Sequence, residues 1–202
     1  MGRRSDHSRE ELRSMALAAA RDIIKEKGFQ KLTTRSVAKK IGYTVGTLYH
    51  IFHNLDDLII ALNIQTVGNL RKDIDRLAAQ VADPAARLSA MAHAYVTFAF
   101  ANPNLWRLAF EHQLPADLQQ PDALTVKIDA LFAKVAAALN EYIPGRSEEE
   151  VAIAAAAIWS GVHGVCHLAL TNKLELSGMP SIKLVLDQLV DAYLSGLITT
   201  AE

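Results

Sequence analysis

Residues 32–52 read LTTRSVAKKIGYTVGTLYHIF and carry two short helical patterns joined by a glycine. The first pattern begins at a threonine cap, Thr33 or Thr34, and ends at Gly42. The second begins at Thr44 and is long enough for one to two helical turns. Two short helices joined by a turn and packed on a longer helix predict a helix-turn-helix, whose second helix enters the DNA major groove.

Longer helices are predicted on both sides of this stretch. Ser8 and Glu11 have the spacing of a capping box, and Gly28 ends the helix that they begin. On the other side, Asn54 can cap a fourth helix that we expect to run to about Asp83.

Helical periodicity continues through the rest of the chain, and no run alternates apolar and polar residues as a strand would. Further helices are predicted over residues 84–101, 104–112, 122–143, 148–173 and 181–199. Loops are predicted between them at 113–121, 144–145 and 177–180. The predicted fold class is therefore all-α, with a helix-turn-helix domain over residues 1–55 and a larger helical ligand-binding and dimerisation domain over residues 56–202.

The two predicted domains carry opposite charge. Residues 1–55 have 11 Lys and Arg against 5 Asp and Glu, whereas residues 56–202 have 10 against 17. A basic N-terminal part suits a polyanionic partner. Double-stranded DNA is the expected partner of the first domain.

The third helix has a first turn of small residues, Thr44-Val45-Gly46-Thr47, which allows close approach to bases and phosphates. Tyr49 and His50 are expected to point outward, and Leu48, Ile51 and Phe52 to form the buried face. Capping alone would also explain Thr33 and Thr44, and a half-buried surface ring would explain Tyr49.

The stretch Leu32 to Gly42, followed by Gly46-Thr47-Leu48-Tyr49-His50-Ile51-Phe52, resembles the TetR/AcrR repressor signature. This resemblance covers roughly residues 8–60 and implies a homodimer bound to a palindromic operator. The resemblance implies that the residues facing DNA are Thr34, Arg35, Thr44, Val45, Gly46, Thr47, Tyr49 and His50. Lys39 is added to this predicted DNA-binding set as a basic side chain. Arg35 is the best candidate for reading a base edge, with a phosphate contact as the alternative.

One residue departs from the signature. The family usually has Lys at the start of the fourth helix, where this chain has Leu55. A phosphate contact is therefore expected to be missing, and His53, Lys39 and Lys40 are candidates to compensate for its charge.

The C-terminal part contains no nucleophile elbow, Gly-rich phosphate loop or His-Glu-x-x-His motif, so we expect no enzyme activity and no cofactor. Its aromatic residues can line an apolar pocket or simply fill a core. Trp159 and His163 lie four residues apart on one helical face, where buried ring nitrogens need hydrogen-bond partners. The predicted binding residues for an unidentified small-molecule effector are Phe98, Trp106, Phe110, Trp159 and His163.

The segment Trp159-Ser160-Gly161-Val162-His163-Gly164 also resembles the Trp-His-Gly subclass of TetR-like regulators, as does the stretch from Tyr95 to Phe110. A metal-responsive regulator is an alternative, since His163 and His167 are spaced as metal ligands. His93, His112 and Cys166 would be the further ligands. Hydrogen-bonded histidines in an apolar helix are the simpler interpretation, and we expect no metal.

Homodimerisation is predicted from the apolar helices over 151–170 and 182–197, which offer more apolar surface than one helical layer can cover. The predicted interface residues are Val162, Cys166, Leu186, Leu189 and Tyr193. The charge-free run 151–170 is long enough to cross a bilayer, but its Ala-rich composition with Ser160, two Gly and two His argues against insertion. With one cysteine and no signal-like start, the expected location is the cytoplasm.

Two other classes of protein fit parts of the sequence. A helical ligand-binding protein without a DNA role would make the basic N-terminal part incidental. A small helical enzyme acting through His163 or His112 would require turnover of a substrate.

Overall fold

The computed structural model describes residues 7–113, 122–174 and 181–199. Within these ranges the regular structure is helical and includes no strand, which confirms the predicted all-α fold class. The helices are α1 (Arg9–Lys27), α2 (Thr34–Ile41), α3 (Val45–Tyr49), α4 (Leu55–Ala78), α5 (Pro84–Ala101), α6 (Pro103–Glu111), α7 (Asp122–Tyr142), α8 (Glu148–Leu170) and α9 (Ile182–Thr199).

Helix α1 begins at the predicted capping box. The Glu11 backbone N–H donates to Ser8 Oγ at 3.2 Å, and the Ser8 backbone N–H donates to Glu11 Oε2 at 2.6 Å. The hydrogen bond from the Ser8 backbone N–H to the carboxylate is the main cause that lowers the pKa of Glu11 below its usual value. Gly28 ends the helix with φ of 78°, a conformation that L side chains rarely adopt. Both predicted ends of α1 are confirmed.

The cap of α2 is Thr33 rather than Thr34. The Ser36 backbone N–H donates to Thr33 Oγ1 at 3.0 Å, and the Thr33 backbone N–H donates to Ser36 Oγ at 3.0 Å. Gly42 ends α2 in the left-handed conformation, as predicted.

Helix α4 ends at Ala78, five residues before the predicted Asp83. The Asp83 carboxylate instead caps α5, because its Oδ2 accepts from the Ala86 backbone N–H at 2.8 Å. The Arg87 guanidinium binds the Val81 and Ala82 carbonyl oxygens at 3.0 and 2.6 Å. These contacts hold the connection in a non-helical path, so Asp83 belongs to the next helix.

The other ends match the predictions or differ from them by at most three residues. Helix α3 stops at Tyr49 and α8 at Leu170, where Asn172 has a positive φ of 55°. Residues 114–121 of the predicted loop at 113–121, and residues 177–180 of the last predicted loop, lie outside the described residues.

The chain divides into two compact units. The first comprises Met1–Val67 and Asn102–Leu124, and the second comprises Gly68–Ala101 and Thr125–Glu202. The first unit therefore contains α6 as well as the helix-turn-helix. The predicted assignment of DNA binding to residues 1–55 and of ligand binding to 56–202 concerns function and stays a prediction.

The core of the first unit joins α1, α2, α3, the start of α4 and α6. Leu105 and Leu108 of α6 are buried in the same apolar cluster as Ile24 and Phe52. Asn104 Nδ2 donates to the Ile24 and Lys25 carbonyl oxygens at 3.0 and 3.3 Å. The side chain of Asn104 thus adds hydrogen bonds to two carbonyls in the last turn of α1, where carbonyl oxygens have fewer helical partners.

The core of the second unit is formed by α5, α8 and α9. Gly161 of α8 lies so close to Leu189 of α9 that an added Cβ would stand 3.0 Å from the leucine side chain. The Tyr193 hydroxyl donates to the Ala154 carbonyl oxygen at 3.1 Å. Small residues therefore allow α8 and α9 of one chain to pack closely.

Candidate DNA-binding surface and candidate effector site

The first turn of α2 exposes a basic side chain beside a well-defined cap. Thr33 and Ser36 are occupied by the capping box, and Thr34 is half-buried. Arg35 is exposed and lies in the same turn. The cap fixes the backbone from which Arg35 extends, so this arginine can reach a DNA phosphate or a base edge.

The two adjacent lysines of α2 have different surroundings. Lys40 Nζ lies 3.3 Å from Asp22 Oδ2 and 3.7 Å from Glu26 Oε1, so two carboxylates of α1 neutralise it. Lys39 is exposed and has no carboxylate within 4.0 Å among residues 7–113, 122–174 and 181–199. Of the two lysines, Lys39 is therefore the one without a carboxylate partner among the described residues.

Helix α3 begins at the predicted cap. The Thr47 backbone N–H donates to Thr44 Oγ1 at 3.2 Å, and the two threonine hydroxyl oxygens lie 3.0 Å apart. The capping interpretation of Thr44 is confirmed, and its hydroxyl remains at the surface. Gly46 is exposed, with the nearest atom to an added Cβ 3.7 Å away at Thr44 Oγ1, so the backbone there is open to a close approach from outside.

The two faces of α3 divide largely as predicted. Leu48, Ile51 and Phe52 are buried, whereas Tyr49 is 53% exposed and His50 is exposed. Val45 is half-buried and packs against the core of the first unit, so only part of its side chain is available to DNA. The guanidinium of Arg13 lies 4.8 Å from the centre of the Phe52 ring.

The start of α4 carries acidic rather than basic side chains. Leu55 is half-buried and packs against the core of the first unit. The Asp57 backbone N–H donates to Asn54 Oδ1 at 2.8 Å, and the His53 backbone N–H donates to Asp57 Oδ2 at 3.0 Å. Since Lys40 is paired, His53 and Lys39 remain the candidates for the charge compensation that the sequence predicted.

A row of rings crosses the second unit from α7 to α5. Phe132 of α7 lies 5.4 Å from Trp159, Trp159 lies 5.0 Å from His163, and both distances join ring centres. His163 Nδ1 lies 2.7 Å from the Tyr95 hydroxyl oxygen. Tyr95 is therefore a hydrogen-bond partner of His163, as the sequence analysis expected some group to be. The sequence did not identify Tyr95, because a separation of 68 residues gives no local signal.

The five predicted effector residues fall in different units. Trp106 and Phe110 belong to the first unit, with ring centres 5.5 Å apart, and Trp106 is fully buried. Phe98, Trp159 and His163 belong to the second unit, where Phe98 is buried and the other two are half-buried. The structure brings Trp159 and His163 together, and it pairs Trp106 with Phe110.

The predicted interface residues differ in the surface that they can offer to a partner. Val162, Cys166 and Leu186 are 5%, 0% and 1% exposed within the single chain, whereas Leu189 and Tyr193 are half-exposed. The first three side chains face the chain's own core and have almost no area left to bury. The exposed apolar side chains of α8 and α9 are instead Ile153, Leu168, Leu184 and Ile198.

The candidate metal ligands have other partners or surroundings. His93 Nε2 lies 2.6 Å from Asp187 Oδ1, and His112 Nε2 lies 3.9 Å from Asp56 Oδ1. Burial raises the pKa of the Cys166 thiol to about 12, which disfavours the thiolate that binds metals. In the part of the chain that the structure describes, no three His, Cys, Asp or Glu side chains are grouped as metal ligands.

Helix α8 is long and apolar enough to cross a membrane by length and composition. A third of its most apolar 18-residue window is buried inside the chain. The core helix of a soluble protein passes the same test, so this feature is weak evidence for a membrane.

The capped α2 and α3, with Arg35, Lys39 and Tyr49 exposed beside the open turn at Gly46, define a helix-turn-helix protein of the DNA-binding class. The family models agree. Residues 16–62 match the model described as bacterial regulatory proteins, tetR family, and residues 88–193 match the model described as tetracyclin repressor-like, C-terminal domain. The chain therefore belongs to the TetR family of transcriptional regulators.

Relatives with known sequence or structure are similar along most of their length. An uncharacterized HTH-type transcriptional regulator from Mycobacterium tuberculosis is 27% identical over 163 residues, which cover 81% of this chain and 72% of the relative. A solved structure of a protein of unknown function from Rhodococcus sp. RHA1 is 24% identical, with a TM-score of 0.76 and coverage of 96% and 98%. The transcriptional regulator FadR from Bacillus subtilis, solved in complex with stearoyl-CoA, is 17% identical, with a TM-score of 0.68 and coverage of 91% and 98%.

Proposed function

We propose that this regulator binds a palindromic operator as a homodimer and that a small organic effector, bound in its C-terminal helical part, changes its affinity for DNA. The observation that carries the proposal is the exposed basic and aromatic face of the helix-turn-helix. The proposal assigns the DNA-binding role to residues 1–55 and effector binding and dimerisation to residues 56–202.

Within the helix-turn-helix, each side chain has a proposed role. Arg35 reads a base edge or binds a phosphate, Lys39 binds a phosphate, and the first turn of α3 approaches the DNA closely. Tyr49 and His50 contact bases or backbone from the exposed face. The full proposed contact set is Thr34, Arg35, Lys39, Thr44, Val45, Gly46, Thr47, Tyr49 and His50.

The dimer interface is proposed on the outer faces of α8 and α9. Ile153 lies on an exposed stripe of α8 with Ala156, Ala157 and Ser160. On α9, exposed Leu184 and Ile198 lie on a second stripe, and half-exposed Leu189 and Tyr193 lie on the side of α9 that packs against α8. Small residues along α8 permit close approach of a second copy, and the pair of helices from each chain would form a four-helix bundle.

The effector is proposed to bind near Trp159 and His163 in the second unit, with Phe98 as a neighbouring apolar group. The other two effector residues predicted from the sequence, Trp106 and Phe110, belong to the first unit. The FadR structure holds stearoyl-CoA, which supports the idea that a body of this fold accommodates an organic ligand. The Trp159, His163 and Gly164 pattern supports membership of the Trp-His-Gly subclass.

Effector binding is proposed to act by changing the spacing of the two recognition helices. Two half-sites in successive major grooves require a separation of about 34–36 Å between recognition helices. Helix α4 has residues in both units, so a small change in its tilt can alter that separation. Repression would then be relieved by a shift in the population of dimer conformations.

The regulator is proposed to act in the cytoplasm without membrane attachment, and no catalytic role is assigned to His163 or His112. A helical ligand-binding protein without a DNA role and a small helical enzyme are the rival classes. The first predicts no salt-dependent binding to a palindromic duplex, and the second predicts turnover of a substrate.

The deciding experiment first selects duplexes from a random library with the full-length chain. Fluorescence anisotropy then measures their binding constant between about 50 and 200 mM salt, and the salt slope is the fall of log K with log salt concentration. Arg35→Ala and Lys39→Ala should each reduce the salt slope by about 0.9 per lost phosphate contact, and Arg35→Ala should relax the selected sequence if it reads a base.

Lys40→Ala is the matched control, because Asp22 and Glu26 already neutralise this lysine. Its salt slope should stay close to that of the wild type. Failure to select any sequence, or equal slopes for Lys39→Ala and Lys40→Ala, would contradict the proposed contact surface.

A further inference from the structure

Arg13 of α1 lies over the ring of Phe52, which follows the recognition helix α3. The guanidinium carbon is 4.8 Å from the ring centre. Phe52 is only 4% exposed, whereas Arg13 is an exposed residue. A guanidinium over an aromatic face is attracted by the negative potential of that face. The contact therefore holds the charged end of a long and otherwise flexible side chain at one place on the surface.

The ring of Phe52 borders the proposed DNA-binding surface. It lines a small crevice together with Thr34, Tyr49 and Asn54. Thr34 and Tyr49 belong to the proposed DNA contact set, and Asn54 is exposed just before α4. Because Arg13 lies over the same ring, its guanidinium stands at the margin of that surface.

Arg13 brings positive charge to a place where the neighbouring helix is acidic. Residues 53–57 read HNLDD, with two Asp and neither Lys nor Arg. In the part of the chain that the structure describes, no carboxylate oxygen lies within 4.0 Å of the Arg13 guanidinium. A phosphate beside the start of α4 would be repelled by the aspartates, so it needs a cation from another helix. The packing of α1 on Phe52 supplies one.

The position of Arg13 favours a phosphate over a base as its target. The major groove is about 12 Å wide, and the backbones of the two strands form its edges. A side chain from a neighbouring helix, placed beside the end of α3, meets such an edge and not the floor of the groove. Guanidinium groups bind phosphate oxygens through paired, charge-assisted hydrogen bonds.

We propose that Arg13 binds a DNA phosphate at the margin of the half-site contacted by α3, and that stacking on Phe52 positions its guanidinium there. The proposal rests on the DNA-binding role of the helix-turn-helix. It adds to the contact set a residue of α1, outside residues 32–52, and it makes Phe52 a positioning residue.

The test measures binding of the full-length chain to the selected duplex as a function of salt. Arg13→Met keeps an unbranched side chain and removes the charge. It should lower the salt slope by about 0.9 per protomer and weaken binding about fivefold for each lost contact at physiological salt. Arg13→Lys keeps the charge and should retain most of the slope. The matched control is Arg21→Met, which removes an exposed arginine about 12 Å farther along α1 and should leave the slope unchanged.

Methylphosphonate substitution locates the contact by removing the charge of one phosphate at a time. One phosphate beside each half-site should weaken binding of the wild type when it is neutralised, and its neutralisation should have no effect on Arg13→Met. Equal slopes for Arg13→Met and the wild type, or equal losses for Arg13→Met and Arg21→Met, would overturn the phosphate contact. So would a slope for Arg13→Lys as low as that of Arg13→Met. Failure of the wild type to select any duplex would instead reject the DNA-binding function on which the contact depends.

Two measurements test the positioning role of Phe52. In the Phe52→Leu background, Arg13→Met should lower the salt slope by less than it does in the wild type, because the guanidinium is no longer held. In the wild type free of DNA, the ring current of Phe52 should shift the side-chain proton resonances of Arg13 upfield of those of Arg21, and this NMR measurement requires no variant to fold. An undiminished effect of Arg13→Met in Phe52→Leu, or unshifted Arg13 resonances, would overturn the positioning role.

Discussion

His163 Nδ1 and the Tyr95 hydroxyl oxygen are 2.7 Å apart and join α8 to α5 inside the second unit. Tyr95 is only 4% exposed, so its hydroxyl would be costly to bury without a partner. Trp159 contacts the same imidazole, with ring centres 5.0 Å apart. A polar contact is thus built into the most apolar helix of the chain, at the place where we propose that an effector binds.

Tyr95→Phe should lower the free energy of unfolding by about 0.5–1.5 kcal/mol, because His163 Nδ1 loses this hydrogen bond in a half-buried site. Urea denaturation followed by circular dichroism measures the change. A double-mutant cycle with His163→Ala isolates the pair, and additive effects of the two substitutions would show that the bond contributes nothing.

Thr44→Ala should destabilise the first unit by about 1 kcal/mol, since the Thr47 backbone N–H loses its cap. Thr44→Ser keeps the hydroxyl and should restore most of the stability. Measuring operator affinity for both variants separates two roles of Thr44: a stable Thr44→Ser protein with weakened binding would mean that DNA contacts the threonine methyl group. Equal stability of Thr44→Ala and the wild type would show that this cap is dispensable.

If the chain forms the proposed dimer, Ile153→Asp should convert it into a monomer, because the substitution places a carboxylate in the proposed interface at a cost of more than about 2 kcal/mol per chain. Light scattering coupled to size exclusion measures the mass in solution. Val126→Asp is the matched control, since Val126 of α7 is equally exposed, at 61% against 62%, and lies outside the proposed interface. Dimers of the same strength for both variants would exclude this face of α8.

Cys166 should resist thiol reagents at pH 8 in the folded protein. Burial raises the pKa of its thiol to about 12, so the reactive thiolate is scarce until the solution is much more alkaline. Labelling with a disulfide reagent should be slow in buffer and fast in urea. Because Cys166 is the single cysteine of the chain, Cys166→Ala gives the background directly. Rapid labelling of the folded chain would show that α8 opens far more readily than its burial suggests.

The helix starts could be predicted because a cap is a local motif. Ser8, Thr33 and Thr44 each accept a backbone N–H three residues ahead, and a pattern of that length is visible in the sequence. The end of α4 could not be predicted in this way. Asp83 suits either the last turn of α4 or the cap of α5, and the choice depends on contacts made by Arg87.

The candidate sites were predicted less completely than the fold. Apolar composition indicated that α8 and α9 have more apolar surface than one chain can bury. It could not show which side of each helix packs against the chain's own core. Val162, Cys166 and Leu186 were therefore assigned to an interface although they are buried within one chain. Lys39 and Lys40 are likewise indistinguishable in sequence, and the carboxylates of Asp22 and Glu26 separate them only once α1 and α2 are packed.

The packing of α6 in the core of the first unit limits which segments can be exchanged between regulators to make a chimera. Leu105 and Leu108 fill the core around α1, and Asn104 covers carbonyls at its C-terminal end, although these residues lie more than seventy positions further along the chain. A chimera that joins the first 67 residues to a foreign sensor would inherit a core with two leucines missing. Recombination between family members should give folded proteins only when the segment after Asn102 and the N-terminal helices come from the same parent. The helix-turn-helix and α6 should therefore be inherited together.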